Sequence, residues 1–349
     1  MNSTIDLYQD TYLKERNIRL IREIEGGSTS STYEGYHENF GKKLFVKFIP
    51  VPWQEGENID DEVKALISLK GKKNIIEVLD AFYDAATDSQ LVIITEYLEG
   101  DTLDKYCGLQ NVSIKRAIDI TMEALYAVGQ IHSNGLVHRD IKLENIVYNR
   151  NVPIVVDLGS VKTPNSKVKI DDPIPYLYRS SEVFTKSIYS IRSDLYQLGL
   201  VLFQLINGKL PLDPMFYATR LKGNYEVGEL DKVANMEVMK LVTKNKLIGT
   251  IEHNPFFCSK IKRVVHNALT LRYQSSDAFY KDLTTLKASI PDWYQSDDVT
   301  YHCSWNKKKY EVVKENGGFK IYKVGMVRKK ELHFEKTGEA VNRFIQKIK

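Results

Sequence analysis

A turn-rich stretch at residues 135–150, GLVHRDIKLENIVYNR, places His, Arg, Asp, Lys, Glu and Asn side chains between apolar runs. His138, Arg139 and Asp140 are consecutive, and Asn145 follows five residues after Asp140. Charged side chains are rarely placed against an apolar core without a reason. The stretch is therefore either a solvated loop or a site that does chemistry, and the rest of the sequence decides between the two.

The tripeptide Asp-Leu-Gly begins at Asp157, directly after the apolar run PIVV. With H-R-D-x-K-x-x-N at residues 138–145, this spacing resembles the catalytic core of the protein kinases, which combines that loop with a D-F-G motif. The resemblance extends over residues 17–289. It implies phosphoryl transfer from ATP with Mg²⁺, in which positioning and charge neutralisation do most of the catalysis. A solvated loop does not account for this joint spacing.

The resemblance implies a role for each polar residue of the motif. It implies that Asp140 accepts or orients the proton of the substrate hydroxyl and that Lys142 neutralises charge on the moving γ-phosphoryl group. Asn145 and Asp157 are expected to hold Mg²⁺. A lysine two residues after the catalytic Asp favours a Ser or Thr hydroxyl over Tyr as the acceptor.

Positions upstream fit the same family. Lys47, in the run LFVKF, matches the strand lysine of the kinases, and Glu62, in a helical pattern, matches its ion-pair partner. Thr95 then lies at the gatekeeper position. Glu96 and Leu98 are expected to offer backbone groups to adenine.

The phosphate-binding loop departs from the family pattern. Aligned on the TYEG that follows, G-x-G-x-x-G-x-V falls on residues 25–32, and only Gly27 remains in register. Gly26, Gly27 and Ser28 are expected to contact the nucleotide, because this loop still offers backbone N–H groups and hydroxyls to phosphate. Its backbone is stiffer than one with three glycines.

Three positions in the second half match structural residues of the kinases. Glu182 ends the segment YLYRSSE, and Asp194 lies in the apolar helical pattern SDLYQLGLVLFQLI. Arg272 is the expected ion-pair partner of Glu182, and losing one member of such a pair leaves a costly buried charge.

An arginine beside the catalytic Asp is the arrangement of kinases that are switched by phosphorylation of the activation segment. A phosphate there can pair with Arg139 and order the segment. Thr163 and Ser166, together with Ser160, are candidate acceptors. The alternative is that these residues are exposed loop hydroxyls.

Further departures bear on activity. Thr32 and Phe45 replace the Val and Ala that usually cover the adenine, and Leu158 replaces the Phe of the D-F-G motif. Pro175 stands where these kinases usually carry a Thr that hydrogen-bonds the catalytic Asp, and proline has no such donor.

The phosphoryl-transfer residues are all retained, so the sequence favours an active, divergent Ser/Thr protein kinase. One alternative is a pseudokinase, a nucleotide-binding scaffold that acts through its basic C-terminal module. The other is a small-molecule kinase of similar fold, against which Lys142, Glu182, Asp194 and Arg272 argue.

The elements that position these residues change in type along the chain. Residues 1–16 form an N-terminal extension, 17–97 a strand-rich lobe with one helix, and 98–290 a mainly helical lobe. Three strand patterns, a hairpin turn at ENGG and a helix capped by Thr337 predict a small, separate β-β-β-α module within 291–349. The expected fold class is α+β, a bilobal protein-kinase-like fold plus this module.

The charge of the chain is concentrated in the last 51 residues. The whole chain carries +4, residues 299–349 carry +8, and the preceding residues carry −4. This segment also contains aromatic residues at Trp305, Tyr310, Phe319, Tyr322 and Phe334. The module is expected to bind nucleic acid, to dock on the kinase or to recruit an acidic substrate, unless its aromatics form its own core and its lysines a solvated face.

Composition indicates a cytoplasmic globular protein. The three cysteines are scattered, which argues against a disulfide framework. The first residues lack the apolar core of a secretory signal. The longest apolar run, at residues 198–206, is too short to span a bilayer, so no membrane partner is expected.

Overall fold

Three β-sheets and a helical lobe make up the described part of the chain. The structure is a computed structural model, and it describes residues 11–24, 30–50, 59–84, 90–109, 112–166, 174–218, 227–325 and 329–348. The N-terminal part is rich in strands and the next part is helical, which confirms the predicted α+β, kinase-like class. A further sheet and one helix follow.

The N-terminal lobe is an antiparallel five-stranded sheet in the order β1-β2-β3-β5-β4. On β3, Leu44, Val46 and Phe48 are buried in the core of this lobe. Because successive strand side chains point to opposite faces, Phe45 and Lys47 lie on the other face. The elements are α1 (Thr11–Glu15), β1 (Ile18–Ile24), β2 (Ser31–His37), β3 (Lys42–Pro50), α2 (Ile59–Ser68), β4 (Val78–Asp84) and β5 (Gln90–Glu96).

Two helices, α4 and α6, form the centre of the helical lobe. Ser113 caps α4 by accepting a hydrogen bond from the Arg116 N–H at 3.2 Å. All residues of α6 from Ser193 to Ile206 are buried, as in a helix surrounded by protein. Among the helices of the described ranges, none is both long and apolar enough to cross a membrane. The helices are α3 (Leu103–Leu109), α4 (Ile114–Ser133), α5 (Ser181–Lys186), α6 (Ile191–Asn207), α7 (Met215–Ala218), α8 (Val227–Thr243), α9 (Ser259–Leu269) and α10 (Ser276–Ser289).

A small three-stranded sheet supports the polar stretch between α4 and α6. Its antiparallel strands lie in the order β6-β7-β8. A 3₁₀ turn at Leu143–Asn145 leads directly into β7, and a second 3₁₀ turn at Leu158–Ser160 follows β8. The strands are β6 (Asp101–Thr102), β7 (Ile146–Asn149) and β8 (Val152–Val155).

The C-terminal sheet has five antiparallel strands in the order β13-β12-β11-β10-β9. The three predicted strands are present as β11, β12 and β13, and Gly317 has a φ of 87° in the predicted hairpin turn. The sequence analysis missed β9 and β10. The predicted cap is confirmed, because Thr337 Oγ1 accepts a hydrogen bond from the Ala340 N–H at 3.2 Å. The elements are β9 (Asp292–Gln295), β10 (Thr300–Trp305), β11 (Lys308–Glu315), β12 (Gly318–Val324), β13 (Lys329–Glu335) and α11 (Gly338–Lys347).

The C-terminal sheet and the helical lobe share one hydrophobic core. The Phe256 ring stacks on Trp293, with centroids 3.7 Å apart and planes 5° apart. A Cβ added to Gly338 would lie 2.1 Å from the Pro255 carbonyl oxygen, so α11 packs closely on the lobe. The predicted C-terminal module is therefore present, with two further strands, and it shares its core with the helical lobe. The predicted boundaries at residues 97 and 290 remain predictions.

Replacing Phe256 with Ala is expected to lower the free energy of unfolding by about 3–5 kcal/mol, because the ring is fully buried among aromatic neighbours. Denaturant titration followed by tryptophan fluorescence measures this. The matched control is Phe334→Ala, whose side chain is 40% exposed and whose effect should stay within about 0.5 kcal/mol. An early, separate unfolding transition of the C-terminal sheet in the unmodified chain would contradict the shared core.

Candidate active site

The polar stretch at residues 135–150 is held in place by a buried carboxylate of α6. Asp194 Oδ2 accepts a hydrogen bond from the His138 N–H and Oδ1 accepts one from the Arg139 N–H, each at 2.8 Å. His132 Nε2 lies 2.8 Å from Oδ2, and Asp194 is 0% exposed. Arg139 has a φ of 75°, a backbone conformation that a non-glycine residue keeps only when its surroundings impose it.

The two carboxylate oxygen atoms of Asp140 differ in their hydrogen bonds. Its Oδ2 accepts hydrogen bonds from Lys142 Nζ at 2.9 Å and from Asn145 Nδ2 at 2.8 Å. Its Oδ1 is buried without a hydrogen-bond partner within the described part of the chain. A carboxylate fixed in this way has an acceptor ready for a substrate hydroxyl.

Lys47 and Asp157 form an ion pair between the N-terminal sheet and the helical lobe. Asp157 has a φ of 57° at the start of its 3₁₀ turn. Burial by itself would raise the pKa of the Asp157 carboxyl, but the charge and hydrogen bond of Lys47 outweigh it and the pKa lies below its ordinary value. Asp157 is therefore ionised at neutral pH.

The polar stretch is also linked to the strand that carries Asp157. His138 Nε2 lies 3.1 Å from the carbonyl oxygen of Val156, the residue that precedes Asp157. Leu158, which replaces the Phe of the family motif, is buried. The two halves of the predicted motif, twelve residues apart in sequence, are thus adjacent in the structure.

The side-chain oxygen atoms of Asn145 and Asp157 are suitable ligands for a magnesium ion. Asn145 Nδ2 donates to the backbone oxygen and to Oδ2 of Asp140, both at 2.8 Å, which leaves its Oδ1 available. Mg²⁺ prefers oxygen ligands and is usually held by one or two protein groups together with substrate phosphates and water. One amide oxygen and one ionised carboxylate supply such a set.

The expected adenine-binding segment follows β5. Thr95 is buried and its Oγ1 donates to the Glu96 carbonyl oxygen at 3.2 Å. The Glu96 N–H donates to the Glu77 carbonyl oxygen at 3.1 Å. The backbone group of Glu96 that can still bind adenine is therefore its carbonyl oxygen. Leu98 is half-buried against the core. Phe45 pairs with Thr95 across β3 and β5, so its side chain lies on the same face of the sheet as Lys47.

Four predicted contacts lie outside the described structure. Gly26, Gly27 and Ser28 fall outside the described residues. The backbone of Glu62 lies in α2, but its side chain is outside the description. The nucleotide contacts of the loop and the Lys47–Glu62 pair therefore remain predictions.

Comparison with known proteins assigns the chain to a family. The family model of the protein kinase domain matches residues 18–272. The chain belongs to the protein kinase family.

Similar proteins include several named Ser/Thr kinases. The probable serine/threonine-protein kinase PknB of Lactococcus lactis is 30% identical over 208 residues, which are 56% of this chain and 32% of the relative. The serine/threonine-protein kinase PrkC of Bacillus subtilis is 28% identical over 204 residues, 56% of this chain and 31% of the relative. Serine/threonine-protein kinase 36 of Pongo abelii is 26% identical over 242 residues, 68% of this chain and 18% of the relative. This kinase chain spans about a third or less of the length of these relatives.

The predicted ion pair between Glu182 and Arg272 is wrong. The Glu182 carboxylate is buried and pairs with Arg192 of α6 at 2.7 Å. Ser193 Oγ also donates to it at 2.7 Å. Arg272 instead donates to Asn267 Oδ1 at 3.3 Å. Glu182 does have an arginine partner, as a buried carboxylate requires, but this partner comes from the first turn of α6.

The candidate phosphorylation sites differ in exposure. Thr163 is exposed, whereas Ser166 Oγ is buried and has no hydrogen-bond partner among the described residues. The Val137 N–H donates to the Lys162 carbonyl oxygen at 2.8 Å, so Thr163 follows a residue that is hydrogen-bonded to Val137, two residues before Arg139. The Arg139 guanidinium lies 4.7 Å from the centroid of the Tyr189 ring.

Gln197, one turn after Asp194 on α6, is a site residue that the sequence patterns did not indicate. Gln197 is fully buried, and its Oε1 accepts a hydrogen bond from the Ile141 N–H at 2.8 Å. Its Nε2 donates to the carbonyl oxygens of Arg139 and Tyr178, at 2.5 Å and 3.0 Å. Gln197 therefore holds the peptides on both sides of Asp140 and ties them to the segment that follows Pro175. A glutamine within an apolar helical run is the one signal that the sequence offers.

Replacing Gln197 with Ala is expected to lower kcat by about 10- to 100-fold, because Asp140 loses its backbone support. It should also lower the free energy of unfolding by about 3 kcal/mol, because buried backbone groups lose their partners. Protein phosphorylation by the folded variant, assayed below its melting temperature, measures kcat. The matched control is Gln204→Ala, a buried glutamine of α6 that contacts Tyr178 and Leu210. If both variants lose stability but retain kcat, Gln197 does not position Asp140.

Proposed function

We propose that this chain transfers the γ-phosphoryl group of ATP to Ser or Thr hydroxyls of proteins, with Mg²⁺. The observation that carries the proposal is the Asp140 carboxylate, with Oδ2 fixed by Lys142 and Asn145 and Oδ1 left without a partner in the described structure. Membership of the protein kinase family and the names of the relatives support it.

The residues of the chain account for the main steps. Asp140 Oδ1 accepts the hydrogen bond of the substrate hydroxyl and orients its oxygen towards the phosphorus atom. Lys142, beside Oδ2, adds positive charge where the transferred group carries negative charge. Lys47 supplies a second positive charge on the side of the nucleotide. Bound Mg²⁺ would neutralise and orient the phosphates, held by Asn145 and Asp157.

The scaffold alternative has no specific support in the geometry. The described transfer side chains form two groups: Lys47 pairs with Asp157, and Asp140 binds Lys142 and Asn145. Phe45 and Pro175 depart from the family pattern, but Asp140 and Asp157 keep their contacts with Lys142, Asn145 and Lys47. The cytoplasmic location expected from the sequence remains a prediction.

Replacing Asp140 with Asn is expected to lower kcat by about 10²–10⁴-fold, because the general base is lost. Incorporation of labelled phosphate into a generic basic protein substrate measures the rate. The Mg²⁺-dependent rise in melting temperature with ATP should persist, because Asn145 and Asp157 remain. Asp231→Asn, at an exposed carboxylate of α8, is the matched control and should keep full activity. Equal rates for the two variants would refute the assigned role of Asp140.

Autophosphorylation is expected at Thr163 and not at Ser166, because only the Thr163 side chain is exposed. A phosphate on Thr163 adds negative charge close to the segment that precedes Arg139. Phosphosite mapping by mass spectrometry after incubation with ATP and Mg²⁺ tests this. Thr163→Ala should remove the label and slow substrate phosphorylation, and Ser166→Ala is the matched control. A label confined to Ser166 would contradict the expectation.

A further inference from the structure

The lysines of the C-terminal sheet are concentrated at one end. They lie at the turn between β10 and β11, at the end of β12 and at the start of β13, and five of the six are exposed. We call this set the lysine rim, and it consists of Lys307, Lys308, Lys309, Lys323, Lys329 and Lys330. Lys115, at the start of α4, adds a further positive charge 5.6 Å from the ring of Trp305.

Three glutamates of this unit have ion-pair contacts, and the exposed Asp297 and Asp298 lie in the turn between β9 and β10, at the end of the sheet opposite the rim. Glu311 pairs with Lys329, Glu315 with Lys320 at 3.2 Å, and Glu335 with His333 at 3.3 Å. Glu339 accepts hydrogen bonds from Ser259. The described structure contains no ion pair to four residues of the rim, which are Lys307, Lys309, Lys323 and Lys330.

The face of the sheet that points away from the shared core carries aromatic rings. Tyr294 is 44% exposed and stacks on His302, with centroids 4.8 Å apart. Phe334 is 40% exposed, and Tyr322 is half-buried. We call this the outer face. Glu331 and Glu315 are exposed glutamates on this face, and Glu315 pairs with Lys320.

Strand register places the rings next to the rim. Tyr294, His302, Glu311, Tyr322 and Glu331 form one row across the five strands. Lys309 and Lys329 belong to the neighbouring row on the same face. The two rows are two residues apart along the strands, about 7 Å, and the sheet is about 20 Å wide.

We propose that the outer face and the lysine rim bind single-stranded nucleic acid. Bases would stack on Tyr294, His302, Tyr322 and Phe334, while phosphates would contact the rim, which is how proteins bind single strands without sequence preference. Charge alone would equally suit an acidic membrane or an acidic peptide. The rings of Tyr294, His302 and Tyr322 in the adjoining row favour a ligand that has flat rings as well as negative charge.

The charge contacts are tested with the full chain and a fluorescein-labelled 12-nucleotide oligo(dT) or oligo(U), by fluorescence anisotropy at several salt concentrations. Lys323 and Lys330 pair in register with the buried Tyr310 and lie on the opposite face, so the rim variant is Lys307→Glu/Lys309→Glu/Lys329→Glu, which should bind at least tenfold more weakly. The slope of log K against log salt should fall by about 2, since each lost phosphate contact on a single strand contributes about 0.7.

The matched control carries the same change of charge elsewhere in the unit. Lys314, Lys336 and Lys347 are exposed and lie away from the rim, so their triple Glu variant should bind within about threefold of the unmodified chain. Both triple variants should keep the melting temperature and the kinase activity. Equal losses of binding in the two variants would overturn the proposal, because the effect would then be one of net charge.

The stacking contacts are tested with Tyr322→Ala and Tyr322→Phe. The Ala variant should bind about tenfold more weakly, and the Phe variant should bind like the unmodified chain, because stacking requires the ring and not the hydroxyl. A duplex of the same length should bind more weakly than the single strand. The proposal is overturned if neither oligonucleotide binds in low salt, if the duplex binds more tightly, or if only phosphatidylserine vesicles bind.

Discussion

The carboxylate of Asp194 accepts the backbone N–H groups of His138 and Arg139, and the rest of the site depends on this contact. The Asp194 carboxylate is not exposed to solvent, so water does not compete for its hydrogen bonds. They hold Arg139 at a positive φ and thereby set the direction in which the following residue, Asp140, leaves the backbone. Gln197 holds the peptides that flank Asp140, so the first two turns of α6 act as the template for the site.

A second constraint joins the two lobes. Lys47 comes from β3 and Asp157 from the helical lobe, and their ion pair lies where nucleotide phosphates are expected. Gly159 lies at this junction as well, where an added Cβ would lie 2.6 Å from Ile49 Cδ1, the end of a β3 side chain. The depressed pKa of Asp157 follows from the same geometry, since Lys47 outweighs the cost of burial.

The sequence predicts the parts of the site whose spacing is local. The motif at residues 138–145 and Asp157 are brought together by one hairpin, β7–β8. Local spacing could not predict the ion-pair partner of Glu182, because the choice between Arg192 and Arg272 depends on how α5 packs beside α6. Gln197 escaped notice because a buried amide has no periodic signature. Two strands of the C-terminal sheet, β9 and β10, were missed because each is short and is flanked by polar residues.

The C-terminal sheet is fixed relative to the site by α4. Asp292 Oδ1 accepts the Lys115 N–H in the first turn of this helix, and His132 contacts Asp194 in its last turn. Arg116, in the same first turn, contacts Tyr148, three residues after Asn145, so this turn of α4 touches both the C-terminal sheet and the hairpin that follows the catalytic loop. Stacking of Trp293 on Phe256 prevents the sheet from moving independently. A ligand on the outer face would therefore bind to a unit that is packed, through α4, against the same hairpin that brings Asn145 and Asp157 together.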